Sequence, residues 1–195
     1  MKVERKQIVA AALDLLNEVG VDKLSTRLLA ERLGVQQPAL YWHFKNKRAL
    51  LDAMNLEIME RAHQRTLPQA GEDWRSFLGE NAHSFRRALL DYRDGARLHA
   101  GSEPVPDTLP ALDAQLRFLC ETGMEMGAAI DLLVTISHYV VGCVLEEQAD
   151  HPDPTTLDES VLAYPQLAAA MQRYRQRSPD QHFEAGLALI LNGAA

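Results

Sequence analysis

Apolar side chains recur at three- and four-residue intervals along almost the whole chain, and each break in the interval falls at a glycine, a proline or a capping side chain. Ile8, Ala12, Leu15, Leu16 and Val19 make one helical face, which Gly20 stops. Leu28, Leu29 and Leu33 make a second, opened by Ser25 as a cap and closed by Gly34, which can supply a positive φ while Val35 tucks the turn into the core. Pro38 suits the first turn of a third helix running to about His43. Asn46 can cap a long helix from Lys47 to about Gln64, with Leu50, Leu51, Met54, Ile58 and Met59 on its buried side. After a break at 68–73, Trp74, Phe77, Leu78, Ala82, Phe85 and Leu89 resume the period up to Asp94-Gly95. A short apolar segment and a loop holding Pro104, Pro106 and Pro110 precede helices over Leu112–Cys120, Met126–Gln148, Tyr164–Arg175 and Pro179–Leu191. Residues 150–160 read as a proline-containing loop. The pattern predicts an all-α fold without strands, repeats or low-complexity tracts.

Two short helices around a glycine turn, over 25–48, are the spacing of a helix-turn-helix, whose second helix enters the major groove. A net charge of -7 argues against nucleic acid only if it is evenly spread. Residues 1–48 hold nine Lys/Arg (2, 5, 6, 23, 27, 32, 45, 47, 48) against five Asp/Glu (4, 14, 18, 22, 31), and no lysine follows them. A basic head on an acidic body presents one face to phosphates.

At 47% hydrophobic the chain can bury a large core. No unbroken apolar run approaches the length that spans a bilayer, and the N-terminus lacks the apolar stretch of a signal peptide. Cys120 and Cys143 read as two thiols of a reducing compartment. The expectation is a cytoplasmic protein. Within 131–145, Leu132, Leu133, Val134, Ile136, Tyr139, Val140, Val141, Val144 and Leu145 cover more than one face of a helix. Such a helix needs cover from several sides, and in a chain of this size a second copy is the natural cover. Phe183, Leu187, Ile190 and Leu191 of the last helix are the candidate partner across a two-fold axis.

The run from Ala11 to Glu18 and the run Gln37-Pro38-Ala39-Leu40-Tyr41-Trp42-His43-Phe44-Lys45-Asn46-Lys47-Arg48-Ala49-Leu50-Leu51-Asp52 resemble the TetR family of transcriptional regulators. The likeness continues into the body, through Trp74 with Ser76-Phe77-Leu78, Ser84-Phe85-Arg86-Arg87-Ala88-Leu89-Leu90, Tyr92-Arg93-Asp94-Gly95-Ala96, Gln115-Leu116-Arg117-Phe118 and Ser137-His138-Tyr139. It implies a helix-turn-helix domain over 1–46, a ligand-binding and dimerisation domain over 47–195, and a homodimer on operator double-stranded DNA. Thr26 and Arg27 would meet a phosphate and a guanine edge, Gln37 and Pro38 would read bases, and Tyr41, Trp42, His43 and Lys47 would lie on backbone and thymine methyls. Arginine suits guanine and glutamine suits adenine on chemistry alone. Gln36 and Ala39 stand where the family pattern has Glu and Thr.

The members whose bodies this one resembles bind a tetracycline–magnesium chelate. By that resemblance His63, Asn81 and Gln115 would hydrogen-bond the drug's polar edge, and Phe85, Pro104, Ile130 and Leu133 would pack its rings. Ser102 keeps a hydroxyl beside them, and Glu103 replaces an Arg. His99 would bind Mg2+ directly and Glu146, from the other subunit, through water, as suits an ion that dehydrates reluctantly. His138 lies on the interface helix, eight residues before Glu146. Two other readings stand beside this one: a repressor answering a different bulky drug or metabolite, and a helical metalloenzyme using His99, His138 and Glu146. The second lacks H-E-x-x-H spacing, a Gly-rich phosphate loop and a motif placing a nucleophile beside a base.

Overall fold

The computed structural model describes residues 3–102, 105–149 and 159–194, and every regular element among them is helical. The chain divides into two compact units, Met1–Gln148 and Ala149–Ala195.

The first unit begins with α1 (Arg5–Lys23), started by a reciprocal bond in which the Glu4 N–H donates to Gln7 Oε1. Gly20 breaks the helical dihedrals at φ 78°, and the freed Val21 N–H donates to Asp94 Oδ2 at 2.8 Å. A Cβ at position 20 would lie 2.8 Å from that same carboxylate, so close approach as well as φ requires glycine. Ser25 caps α2 (Thr26–Leu33) by accepting from the Leu28 N–H, and Gly34 ends it at φ 65°. The third helix, α3, is shorter than its pattern predicted: it spans Pro38–Tyr41, and Trp42 and His43 fall in the turn behind it. A helix of four residues cannot hold itself. Leu40 and Phe44, buried to 3% and 5% exposure, anchor it.

Asn46 caps α4 (Lys47–Ala62) through the Ala49 N–H, and His63 stands at its C-terminal end. Ile8, Ala12, Leu16, Leu29, Leu40, Leu50 and Met54 share one core that runs on through α4 to Ala88 and Leu98. Each fully buried Leu or Ile contributes about 2 kcal/mol relative to exposure, and this continuity makes α4 a rigid joint. Asp73 caps α5 (Trp74–Leu90), and a left-handed Asp94 (φ 56°) turns the chain into α6 (Gly95–His99). The next helix, α7 (Leu109–Glu121), starts earlier than its apolar period suggested. Pro110 lies in its first turn, where a missing N–H costs nothing.

The longest helix, α8 (Met126–Glu147), packs on α5, α6 and α7 through Ala129, Leu132, Ile136, Val140 and Val144. By length and composition it is apolar enough to cross a membrane, which corrects the expectation that no apolar run approaches that length. Asp131, Thr135, Ser137 and His138 interrupt the apolar run, so counting unbroken runs missed it. Ile130, Val134 and Leu145 remain exposed on the single chain.

The second unit holds a 3-10 turn (Glu159–Ala163), α9 (Pro165–Arg175) and α10 (Pro179–Gly193). Ser178 and Gln181 form a reciprocal cap at the start of α10. Phe183 and Leu187 are already buried at 1% and 3% exposure. Ile190 and Leu191 are partly buried, and Leu189 of the same helix is exposed at 78%.

Candidate functional site

Two groups of residues stand out, one on the head and one around a cavity in the same unit. On the head, Thr26, Arg27, Gln37, Pro38, Tyr41 and Trp42 come from α2, α3 and the turn that follows. Gln37 Nε2 donates to Thr26 Oγ1 at 2.8 Å and reaches Tyr41 Oη at 3.5 Å, so the start of α3 is bound to the start of α2. Tyr41 and Trp42 lie in sequence between the buried Leu40 and Phe44. Both are exposed, Trp42 at 89%, because Leu40 and Phe44 fill the core instead. Arg27 is exposed and pairs along its helix with Glu31 at 3.1 Å, a weak surface contact that DNA can displace. Gln36, Pro38 and Lys47 are exposed, while Ala39 and His43 are partly buried. These donors and apolar edges lie at the N-terminal end of the second helix of a helix-turn-helix, where base edges are met.

Between α4, α5, α7 and α8 lies a cavity of about 1110 Å³. His63, Asn81, Phe85, His99, Ser102, Gln115, Ile130, Leu133 and His138 all line it. They come from six parts of the chain, and the structure brings every one of them to the same hollow. Pro104 and Glu103 lie outside the described residues. Glu146, exposed near the end of α8, is not among the described residues lining the cavity of the single chain.

The polar groups are held by backbone. Asn81 Nδ2 donates to the Arg65 carbonyl at 2.7 Å, and Gln115 Nε2 to the Thr66 carbonyl at 2.7 Å, which fixes both amides where the chain leaves α4. His63 Nδ1 lies 3.1 Å from Ser84 Oγ, which also accepts from the Arg65 N–H. Phe85 stands between the two imidazoles, 5.5 Å from the His63 ring and edge-on to His99 at 4.9 Å. Burial, helped by the nearby His99 and Arg87, lowers the His63 pKa to about 4. Burial also lowers that of His99. Both rings are therefore neutral near pH 7 and can accept as well as donate.

His99 Nδ1 faces Asn55 Oδ1 at 3.0 Å. A carbonyl oxygen only accepts, so a hydrogen bond there requires the proton on Nδ1 and leaves Nε2 a lone pair for a ligand. Among the described residues no group of three or more His, Cys, Asp or Glu side chains is placed to hold a metal ion. The donor set thus fits a metal only when the metal arrives with oxygens of its own.

The residues that sequence reasoning missed are Asn55, Ser84 and Thr66. Asn55, Met59 and His63 recur every four residues on α4, so the face that carries His63 was a signal for Asn55. Nothing in the sequence marks the other two, which act through tertiary contact.

Family models for bacterial regulatory proteins of the tetR family and for the tetracyclin repressor-like C-terminal domain match residues 8–54 and 67–195. The chain belongs to the TetR family, ligand-responsive repressors that bind DNA through a helix-turn-helix. It is 54% identical to the tetracycline repressor protein class A from transposon 1721 of Escherichia coli, over 100% of this chain and 91% of that one. A solved structure of TetR class A in complex with 5a,6-anhydrotetracycline and magnesium superimposes with a TM-score of 0.78 at 48% identity, covering 98% of each chain. A TetR variant from Acinetobacter baumannii AYE in complex with minocycline gives 0.81 at 47% identity, covering 98% of this chain and 96% of that one. The relatives matched are transcription regulators.

Proposed function

We propose that this protein is a homodimeric transcriptional repressor that binds operator double-stranded DNA and is released by a tetracycline–Mg2+ chelate, in the cytoplasm. In this reading residues 1–46 are the DNA-binding domain, and residues 47–195 bind ligand and dimerise. The observation that carries it is the convergence of nine polar and apolar side chains, from six parts of the chain, on one cavity of about 1110 Å³. That volume suits a large polycyclic ligand. Backbone-held Asn81 and Gln115 and neutral His63 orient its polar edge, and Phe85, Ile130 and Leu133 cover its rings. His99 Nε2 would hold the magnesium, and Glu146 of a second subunit would hold it through water. When bound, the ion supplies a positive centre joining the ligand's oxygens to the protein. The exposed apolar positions Val134 and Leu145, with partly buried Val141 on the same face of α8, support dimerisation there.

Release follows from linkage. His99 and Ser102 are bonded to α4, and α4 begins at the DNA-binding head. A ligand that prefers a different position of the turn after α6 must shift α4, and with it the spacing of two heads on two half-sites. Operator retention during a tetracycline titration, with Mg2+ and with a chelator, tests the reading. Release that requires both drug and metal is the expected result. Retention throughout, or release without metal, would overturn it.

A further inference from the structure

We infer that Asn55 is a positioning residue that sets the tautomer of His99 and joins it to Ser102, so that ligand contact and helix movement pass through one amide. The inference rests on the reading of His99 as a ligand-binding group, and it adds a residue of α4 to that site. Asn55 lines the cavity, and its two polar atoms are committed in opposite senses. Oδ1 accepts from His99 Nδ1 at 3.0 Å, and Nδ2 donates to Ser102 Oγ at 3.2 Å.

An amide is one of the few groups able to do both. Its oxygen only accepts and its nitrogen only donates, so this orientation demands a proton on Nδ1. The opposite orientation would aim N–H groups at Nδ1, force the proton onto Nε2, and remove the lone pair that a metal needs. In this orientation Nδ2 is left to donate to Ser102 Oγ, a hydroxyl able to accept there. His99 is the last residue of α6 and Ser102 follows it in the turn, so any rearrangement of that turn must break or carry one of the two bonds. The partner that receives the strain sits on α4, two turns past the Asn46 cap.

Two variants separate the roles. Asn55→Ala removes acceptor and donor; Asn55→Asp keeps an acceptor for Nδ1 and loses the amide donor. The first readout is the imidazole 15N spectrum of His99 in the full-length protein without drug or metal, near pH 8 where the ring is neutral. The parent chain should show the proton on Nδ1, Asn55→Asp should retain it, and Asn55→Ala should shift it toward Nε2. The second readout is tetracycline affinity with Mg2+, which should fall about 10- to 100-fold in Asn55→Ala. It should change little without the metal. A parent spectrum with the proton on Nε2, or an Asn55→Ala protein that keeps both tautomer and affinity, overturns the inference. If tetracycline does not bind at all, the spectrum still decides the tautomer, and only the ligand assignment fails.

Discussion

Arg48 Nη2 donates to the Gly101 carbonyl oxygen at 2.6 Å, while Arg48 Nε pairs with Asp52 at 2.8 Å. The first turn of α4, beside the DNA-binding head, is thereby latched to the turn that follows α6. Three contacts now join the same two elements: Arg48 to Gly101, Asn55 to Ser102 and Asn55 to His99. Removing the outermost should loosen transmission while leaving the cavity intact. Arg48→Ala is expected to keep its affinity for tetracycline with Mg2+, yet the ratio of operator affinities without and with drug should shrink several-fold. By reciprocity, the ratio of drug affinities with and without operator must shrink equally. Fluorescence titrations of drug in the two conditions measure it.

Acid should destabilise the body through His63. Its folded pKa, about 4, lies below the unfolded value near 6.5, so the unfolded chain takes up the proton first. The stability tied to neutral His63 is complete above pH 6.5 and is lost as pH falls toward 4. Between pH 7 and pH 5 that is about 2 kcal/mol. Burial shifts His99 in the same direction, which adds to the slope. Urea unfolding at the two pH values should show the loss, and His63→Asn should flatten it.

Arg86 of α5 and Glu147 at the end of α8 form a two-pronged ion pair, at 2.9 and 2.7 Å, with the side chains only 8% and 18% exposed. Taking away the carboxylate removes both prongs of the pair from a guanidinium in a poorly solvated place. Glu147→Ala should cost about 3 kcal/mol. For a chain of this size that is a fall in Tm of roughly 6–12 °C, read by thermal melting. The double change Arg86→Met with Glu147→Leu should recover most of it, because both charges of the pair are gone.

On the head, Arg27→Ala and Lys47→Ala should fail differently. Loss of Arg27 should remove discrimination between operator and unrelated DNA, by about 1–3 kcal/mol. Loss of Lys47 should weaken binding on every sequence and reduce the salt slope by about one. Binding isotherms on operator and random duplexes over a range of salt distinguish the two. Equal losses on both DNAs in Arg27→Ala would assign it to phosphate.

Several helix boundaries were legible because capping chemistry is local: Ser25 and Asn46 act within three residues of themselves. Burial was less legible. An apolar stripe says that a face must be covered, not how far: Phe183 and Leu187 are fully buried in the single chain, while Ile190 and Leu191 of the same stripe are only partly so. Pro110 misled for a related reason, since the same residue that ends a helix also opens one. In the cavity, His63, Asn81 and Gln115 were found through resemblance, while the groups that hold them were not. Asn55 meets His99 across 44 residues and Gln115 meets the Thr66 carbonyl across 49, and no local pattern announces such a meeting.

The lysines of the head have a practical consequence. Lys6, Lys23, Lys45 and Lys47 are all exposed, and no lysine occurs anywhere after residue 47. Reagents that acylate primary amines therefore mark only the first 47 residues and leave everything after them chemically silent. Protection of Lys45 and Lys47 would report operator occupancy in one mass spectrum, with no background from the part of the chain that holds the ligand.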